Sequence, residues 1–316
     1  MSDSNQNKSG RWFWGIIIGI LVMAMLFVGF SIIIFATALV KTGDKGYDYE
    51  EVRSGKGKIA IVELDFTIID SKPIVRQFKK YREDKSIKAI VLHVNSPGGG
   101  VAASQEMYEE VKKTRDAGIP VIVSFGSIAA SGGYYVACGG SLIVSNPGTL
   151  TGSIGVIISL MNFKELTDKL GIKDFTIKSG ELKDAGNPMK EINEKDRAYF
   201  QDIVDDSYEQ FLDVVSKERK IDKEEVRRIA SGRVYTGRQA KDIRLVDSLG
   251  TLEDAIKIAG VMAKIEGEPA IVKEKGKRNI FDYIIENMTN NEIKVLKEDV
   301  YNEFLNKPVL QYKFER

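Results

Sequence analysis

Residues 12–40, WFWGIIIGILVMAMLFVGFSIIIFATALV, run for 29 positions without a charge. At about 1.5 Å per residue, a helix of that length exceeds the roughly 30 Å hydrocarbon core of a bilayer. Trp12 and Trp14 stand beside Arg11, where an interfacial aromatic belt is expected. A cleaved signal peptide is the alternative, and Ala36-Thr37-Ala38 has the form of an A-x-A cleavage site. The run is nevertheless about twice the usual apolar core of such peptides, so an uncleaved anchor is the reading. The chain then divides into a tail (1–11), an anchor (12–40), a polar linker (41–57), a folded domain (58–275) and a charged extension (276–316) with no assignable role. Charge leaves the orientation open, because Lys8 and Arg11 precede the span while Lys41, Lys45 and Arg53 follow it.

The body is electrically neutral. Lys and Arg number 46 against 45 Asp and Glu, and 44 against 44 once residues 1–11 are set aside. A general nucleic-acid binder needs a strong basic excess, so no nucleic-acid partner is expected. One cysteine, Cys138, excludes an internal disulfide and a cysteine zinc site. One histidine, His93, means that any Ser-His-Asp triad must use it. No metal or cofactor is expected.

Strand-like and helix-like patterns alternate from residue 58 onward. Lys58–Phe66, Ile87–Val94, Pro120–Phe125, Leu142–Ser145 and Ile154–Leu160 read as strands. Helices are predicted over 74–81, 102–117, 190–219, 223–230, 237–243 and 252–263, which makes a layered α/β domain with crossover connections. In the long helix, Phe200, Ile203, Val204, Phe211, Leu212 and Val215 form one apolar stripe, suited to core or subunit contact.

Three Gly-rich stretches follow predicted strands. Asn95-Ser96-Pro97-Gly98-Gly99-Gly100 lets backbone N–H groups approach an anion at a helix start, but lacks the Gly-Lys-Ser/Thr ending of a P-loop. Ser131-Gly132-Gly133 has the logic of a nucleophile elbow without its G-x-S-x-G spacing, and on its own Ser131 equally suits a helix N-cap. Ser127 competes as a nucleophile. Thr149–Val156 supplies Ser153 before an apolar segment. A base for either serine could be Lys178 or Lys183 in the polar stretch 178–184. A neutral lysine near pH 8 requires its pKa to fall by roughly 2–3 units, which burial can supply. His93 lies inside an apolar strand and reads as a buried structural histidine.

Together these stretches resemble the signal peptide peptidase A family (SppA, protease IV), relatives of the Clp protease and crotonase fold. The resemblance rests on NSPGGG (95–100), ASGGYYVA (130–137), GTLTGSIGV (148–156), KSGELKDAGNP (178–188) and GRVYTGRQAKDIRLVDSLG (232–250). It implies an α/β spiral of repeated ββα units carrying one N-terminal transmembrane helix. It further implies a Ser/Lys dyad, with Ser131 as nucleophile, Lys183 as general base and Ser153 orienting the lysine. The N–H groups of Gly98 and Gly132 would form the oxyanion hole. The implied protein is a single-pass enzyme of the bacterial inner membrane, with its N-terminus cytoplasmic and its catalytic domain outside. It would digest remnant signal peptides as a homo-oligomer whose site is completed between subunits. Broader digestion of membrane or misfolded secreted proteins, a crotonase-type acyl-CoA enzyme and a non-catalytic membrane scaffold are the rival readings. A serine-directed probe separates the hydrolase from the acyl-CoA enzyme.

Overall fold

The apolar run IKAIVLHV lies at the middle of a nine-stranded sheet. The computed structural model describes residues 49–274, the backbone of 311–313, and Met23, Met25, Phe27 and Phe30 of the N-terminal segment, which are helical and exposed. The anchor expected over 12–40 thus lies almost wholly outside the described residues. Among the described residues no helix is long and apolar enough to cross a membrane. Residues 1–48 with 275–277 form one unit, and the sheet belongs to a second, residues 49–274 with 278–316.

Strands β1 (Tyr49–Arg53), β2 (Lys58–Leu64) and β3 (Ile87–Ser96) are followed by the short β4 (Gly98–Gly100) and then β5 (Val121–Ala130). Next come β6 (Leu142–Ser145), β7 (Leu150–Gly152), β8 (Val234–Thr236), β9 (Ser248–Leu249), β10 (Ala270–Glu274) and β11 (Gln311–Lys313). The main path is β1-β10-β2-β3-β5-β6-β9, parallel throughout except for β1 on its edge. Burial on both faces explains why β3 is apolar almost without interruption. The crossovers are α1 (Lys72–Glu83), α2 (Val101–Asp116), α3 (Gly132–Ala137), α4 (Lys164–Lys169), α5 (Glu194–Arg219), α6 (Lys223–Ile229), α7 (Gly237–Asp242) and α8 (Leu252–Met262).

A strand, short-strand, helix rhythm is visible within this order. After β2 comes the single bridge Ile68 to Gly99 and then α1; after β3 come β4 and α2. In β5 the two strands of a unit are fused. Residues 122–125 pair with β6, whereas 128–130 pair with β7.

The two faces of the sheet bury different helices. Ile90, Leu92 and Val94 join Phe78 of α1, Met107 of α2 and Tyr134 of α3 in one cluster. Ala89, Val91, Ile122 and Val144 join Ala255, Ile256 and Ala259 of α8 in the other. Pro73 in the first turn of α1 fits a position that needs no hydrogen-bonded N–H, and Ile74, Phe78 and Tyr81 recur on its buried face. Burying each such side chain contributes about 1.5–3 kcal/mol.

Three expectations need correction. Tyr49–Arg53, within the segment read as linker, is a strand antiparallel to β10, fixed by Tyr49 Oη donating to Asp84 (2.5 Å) and by the Arg53–Glu253 ion pair (2.8 Å). Ile154–Leu160 is not a strand: Ser153 adopts φ +49 directly after β7 and turns the chain away from its neighbours. The long helix begins at Glu194, capped by the Asn193 side chain, and only the second half of its stripe (Phe211, Leu212, Val215) is buried. Phe200, Ile203 and Val204 remain half-buried.

Candidate active site

Two strand ends and one glycine strand build the site. β5 and β7 run parallel with Ala130 opposite Gly152, so Ser131 and Ser153 leave the sheet side by side. Both are left-handed, Ser131 at φ +53 and Ser153 at φ +49. A serine in that region costs on the order of 1–3 kcal/mol and persists only where its surroundings hold it. Here Ser131 N–H donates to Gly152 O (2.8 Å), and Ser153 N–H donates to Arg233 O (2.8 Å). Ser131 is wholly buried, and its Oγ has no hydrogen-bond partner among the described residues. It occupies the cap position of α3 without making the side-chain cap, so the helix-cap reading does not account for it.

The helix that starts at Gly132 packs on β3 and β4. β4 is bracketed by Ile68, whose N–H donates to Gly98 O (2.8 Å) and whose O accepts from Gly100 N–H (2.7 Å). Gly99 must be glycine. A Cβ there would stand 2.0 Å from Ile68 O, and its φ is +156. Gly98 N–H donates to Ser96 Oγ (3.2 Å), and Ser96 Oγ donates in turn to Phe66 O (2.5 Å). On the other edge of β4, β11 adds an antiparallel strand, Lys313 opposite Gly98 and Gln311 opposite Gly100, and it also packs against α3.

No hydrogen bond or ion pair joins Lys183 to this cluster among the described residues. It sits in a single 3₁₀ turn, Glu181–Asp184, exposed and without a side-chain hydrogen bond or ion pair among the described residues. Lys178 differs. Its Nζ is bound to Glu181 O (2.9 Å) and Asp184 Oδ1 (2.7 Å), and that bond is the first cause holding the Asp184 carboxyl below its ordinary pKa. The surrounding segment exposes Met161, Leu166, Leu170, Phe175 and Ile177, with Phe175 84% accessible.

His93 takes the opposite parity on β3 from Leu92 and Val94, and so falls on the α8 face. Burial pushes its imidazole below the ordinary value, and its Nδ1 has no hydrogen-bond partner among the described residues. Ser127 lies exposed on a bulge of β5. No group of three or more His, Cys, Asp or Glu side chains suited to a metal occurs among the described residues. The roles of Asn95 and Ser96 were hidden in the sequence. Both belong to NSPGGG, where the glycines alone attracted attention, and their partners lie about 30 residues away.

A mostly parallel sheet with crossover helices, and a strained serine opening a helix beside a glycine strand, define an α/β body of the Clp protease type. Residues 59–144 match the Clp protease family model. Residues 113–266 match the model of peptidase family S49, and the chain belongs to that family. Among its relatives is the "Putative protease slr0021" of Synechocystis, 40% identical over 214 residues, covering 67% of this chain and 77% of that one. The "Putative signal peptide peptidase SppA" of Enterococcus faecium is 44% identical over 180 residues, 57% of this chain and 52% of that one. Protease 4 of Haemophilus influenzae is 30% identical over 254 residues, 76% and 39%. The chain therefore spans about half the length of the Enterococcus relative, and less of Protease 4.

Proposed function

We propose that this chain is a membrane-anchored serine endopeptidase that cuts apolar peptides, remnant signal peptides among them, with a Ser131/Lys183 dyad. The observation that carries the reading is Ser131: a buried, left-handed serine at a strand-to-helix turn whose Oγ has no partner among the described residues. Oγ attacks the peptide carbonyl while neutral Lys183 takes its proton, and Lys183 then passes that proton to the leaving amine as the peptide C–N bond breaks to give the acyl-enzyme. The N–H groups of Gly132 and Gly98 stabilise the tetrahedral oxygen, Gly98 exchanging its contact with Ser96 for it. The acyl-enzyme is then hydrolysed by water with the same lysine as base.

Lys183 is supplied by a second copy. An exposed lysine with no partner among the described residues, on a segment rich in exposed apolar side chains, suits docking onto a neighbour. A groove of about 600 Å3 beside Ser153, whose lining includes Val156, Ile157, Val204, Tyr208 and Ala230 together with Asp205, offers room for a substrate side chain. The uncharged run of residues 12–40 supports the anchor, which holds the body at the outer surface of the membrane.

Cleavage of an apolar fluorogenic peptide by full-length protein in detergent is expected from pH 6 to 10, with Ser131→Ala at least about 10³-fold slower. A fluorophosphonate is expected to label Ser131 alone. A Ser131→Ala variant as active as its parent would sink the reading. Absence of both labelling and cleavage in the intact protein would favour the scaffold.

β11 supports an extended substrate, since it occupies the free edge of β4 as a peptide strand would. Removal of residues 307–316 is expected to raise kcat/KM about threefold to tenfold, mainly through KM. An unchanged KM would mean that peptides do not use this edge.

A further inference from the structure

β5 is not one straight strand. Between Val94 and Ser96 of β3 the pairing advances two residues, while on β5 it advances four, from Phe125 to Ala129. The two extra residues form a bulge three residues ahead of Ser131, and a bulge leaves backbone groups without ladder partners. Side chains satisfy four of them. Phe125 O accepts from Asn146 Nδ2 (3.0 Å), and Gly126 O accepts from Thr149 Oγ1 (2.7 Å). The N–H groups of Ser127 and Ile128 both donate to one atom, Asn95 Oδ1, at 3.1 and 3.3 Å.

The Asn95 amide is fixed from behind, because its Nδ2 donates to Asp65 Oδ1 (2.8 Å). Two donors meet its oxygen and a carboxylate meets its nitrogen, so only one orientation satisfies the group. Asp65 begins the loop that runs through Phe66 to Ile68, the residue bracketing β4. Gly126 makes the close approach possible, since a Cβ there would come within 3.0 Å of Asn95 Oδ1.

We propose that Asn95 is a positioning residue that fixes the nucleophile's strand against the oxyanion strand. Gly98 lies three residues beyond Asn95, and Ser131 lies three residues beyond Ile128. One side chain thus joins two arms of equal length, one ending at an oxyanion N–H and the other at the attacking oxygen. Loosening the joint changes their separation while leaving the peptide-binding edge of β4 intact. The proposal rests on Ser131 being the nucleophile and on Gly98 as an oxyanion donor.

The test uses full-length protein in detergent and four variants: Asn95→Ala, Asn95→Asp, Asp65→Asn and the double exchange D65N/N95D. For each, kcat and KM, the Ki of a peptide boronate that forms a tetrahedral adduct, the Ki of the matching peptide amide, and Tm are measured. Asn95→Ala is expected to lower kcat about 10–100-fold and weaken the boronate by a similar factor, with KM and the amide Ki within about twofold. Asn95→Asp sets two carboxylates together and loses activity. The double exchange restores a donor at 65 and an acceptor at 95, and is expected to recover kcat to within about threefold of the parent.

An Asn95→Ala variant with unchanged kcat overturns the proposal, as does one whose boronate and amide affinities fall equally. If Asn95→Ala fails to fold, the double exchange decides: folded and active supports the joint, folded and inactive overturns it. Failure of the underlying reading appears elsewhere, as loss of fluorophosphonate labelling in the parent or as an active Ser131→Ala, and overturns both.

Discussion

Co-expression of Ser131→Ala and Lys183→Ala chains is expected to restore peptidase activity to about a quarter of the parent level, although each variant alone is expected to be at least about 10³-fold impaired. The expected recovery rests on the proposal that the lysine comes from a second copy. Ser131 is wholly buried, its Oγ without a hydrogen-bond partner among the described residues, while Lys183 is exposed on its own turn. If each site takes its serine from one chain and its lysine from the next, a random mixture pairs two intact residues at about one interface in four. Differently tagged chains, purified through both tags in succession, give the mixed assemblies on which cleavage is measured. Mixed assemblies as inactive as either variant would mean that the dyad closes within one chain. Lys178→Ala is the matching control and is expected to remain active, because Lys178 is occupied by Asp184 and Glu181 O.

Gly99→Ala is expected to reduce kcat by about 10²-fold or more, through loss of an oxyanion donor's position. Its Cβ would stand 2.0 Å from Ile68 O and 2.7 Å from Ile68 C and N. Backbone on both sides has to move, and the two hydrogen bonds that bracket β4 are lost with it. Gly118→Ala separates this collision from conformational strain alone. Gly118 is also left-handed, φ +89, but a Cβ there meets nothing within 4 Å. It should cost about 1 kcal/mol of stability and leave kcat unchanged. Tm and kcat of both variants, measured together, check the contrast. Equal losses of kcat would contradict it.

Much of the α/β body is legible in the sequence because its signals are local. Near-continuous apolar runs mark the central strands, and three- and four-residue apolar spacing marks the helices, though not the start of the longest one. Three features are not local. The apolar run at 154–160 looks like a strand, but pairing depends on the backbone state of Ser153, which is held by Arg233 O about 80 residues later. Tyr49–Arg53 reads as linker because its partner, β10, is more than 200 residues away. Asn95 looks like part of a glycine turn, whereas its chemistry lies in three groups from two other segments. For the site, the motifs marked Ser131, Ser153 and the glycines, which the fold gathers. The motif containing Lys183 says nothing of how far that lysine stands from Ser131 within one chain.

Gln311–Lys313 has a kinetic meaning beyond simple blockage. A strand tied covalently to the body is always nearby, and its effective concentration does not fall when the protein is diluted. If substrates dock on this edge as proposed, a peptide must outcompete a resident, and weak or poorly extended chains are rejected before their side chains are read. On that reading the edge of β4 sets an affinity threshold. Long extended peptides that contact several subsites pass it, while the short fragments left after cutting do not linger.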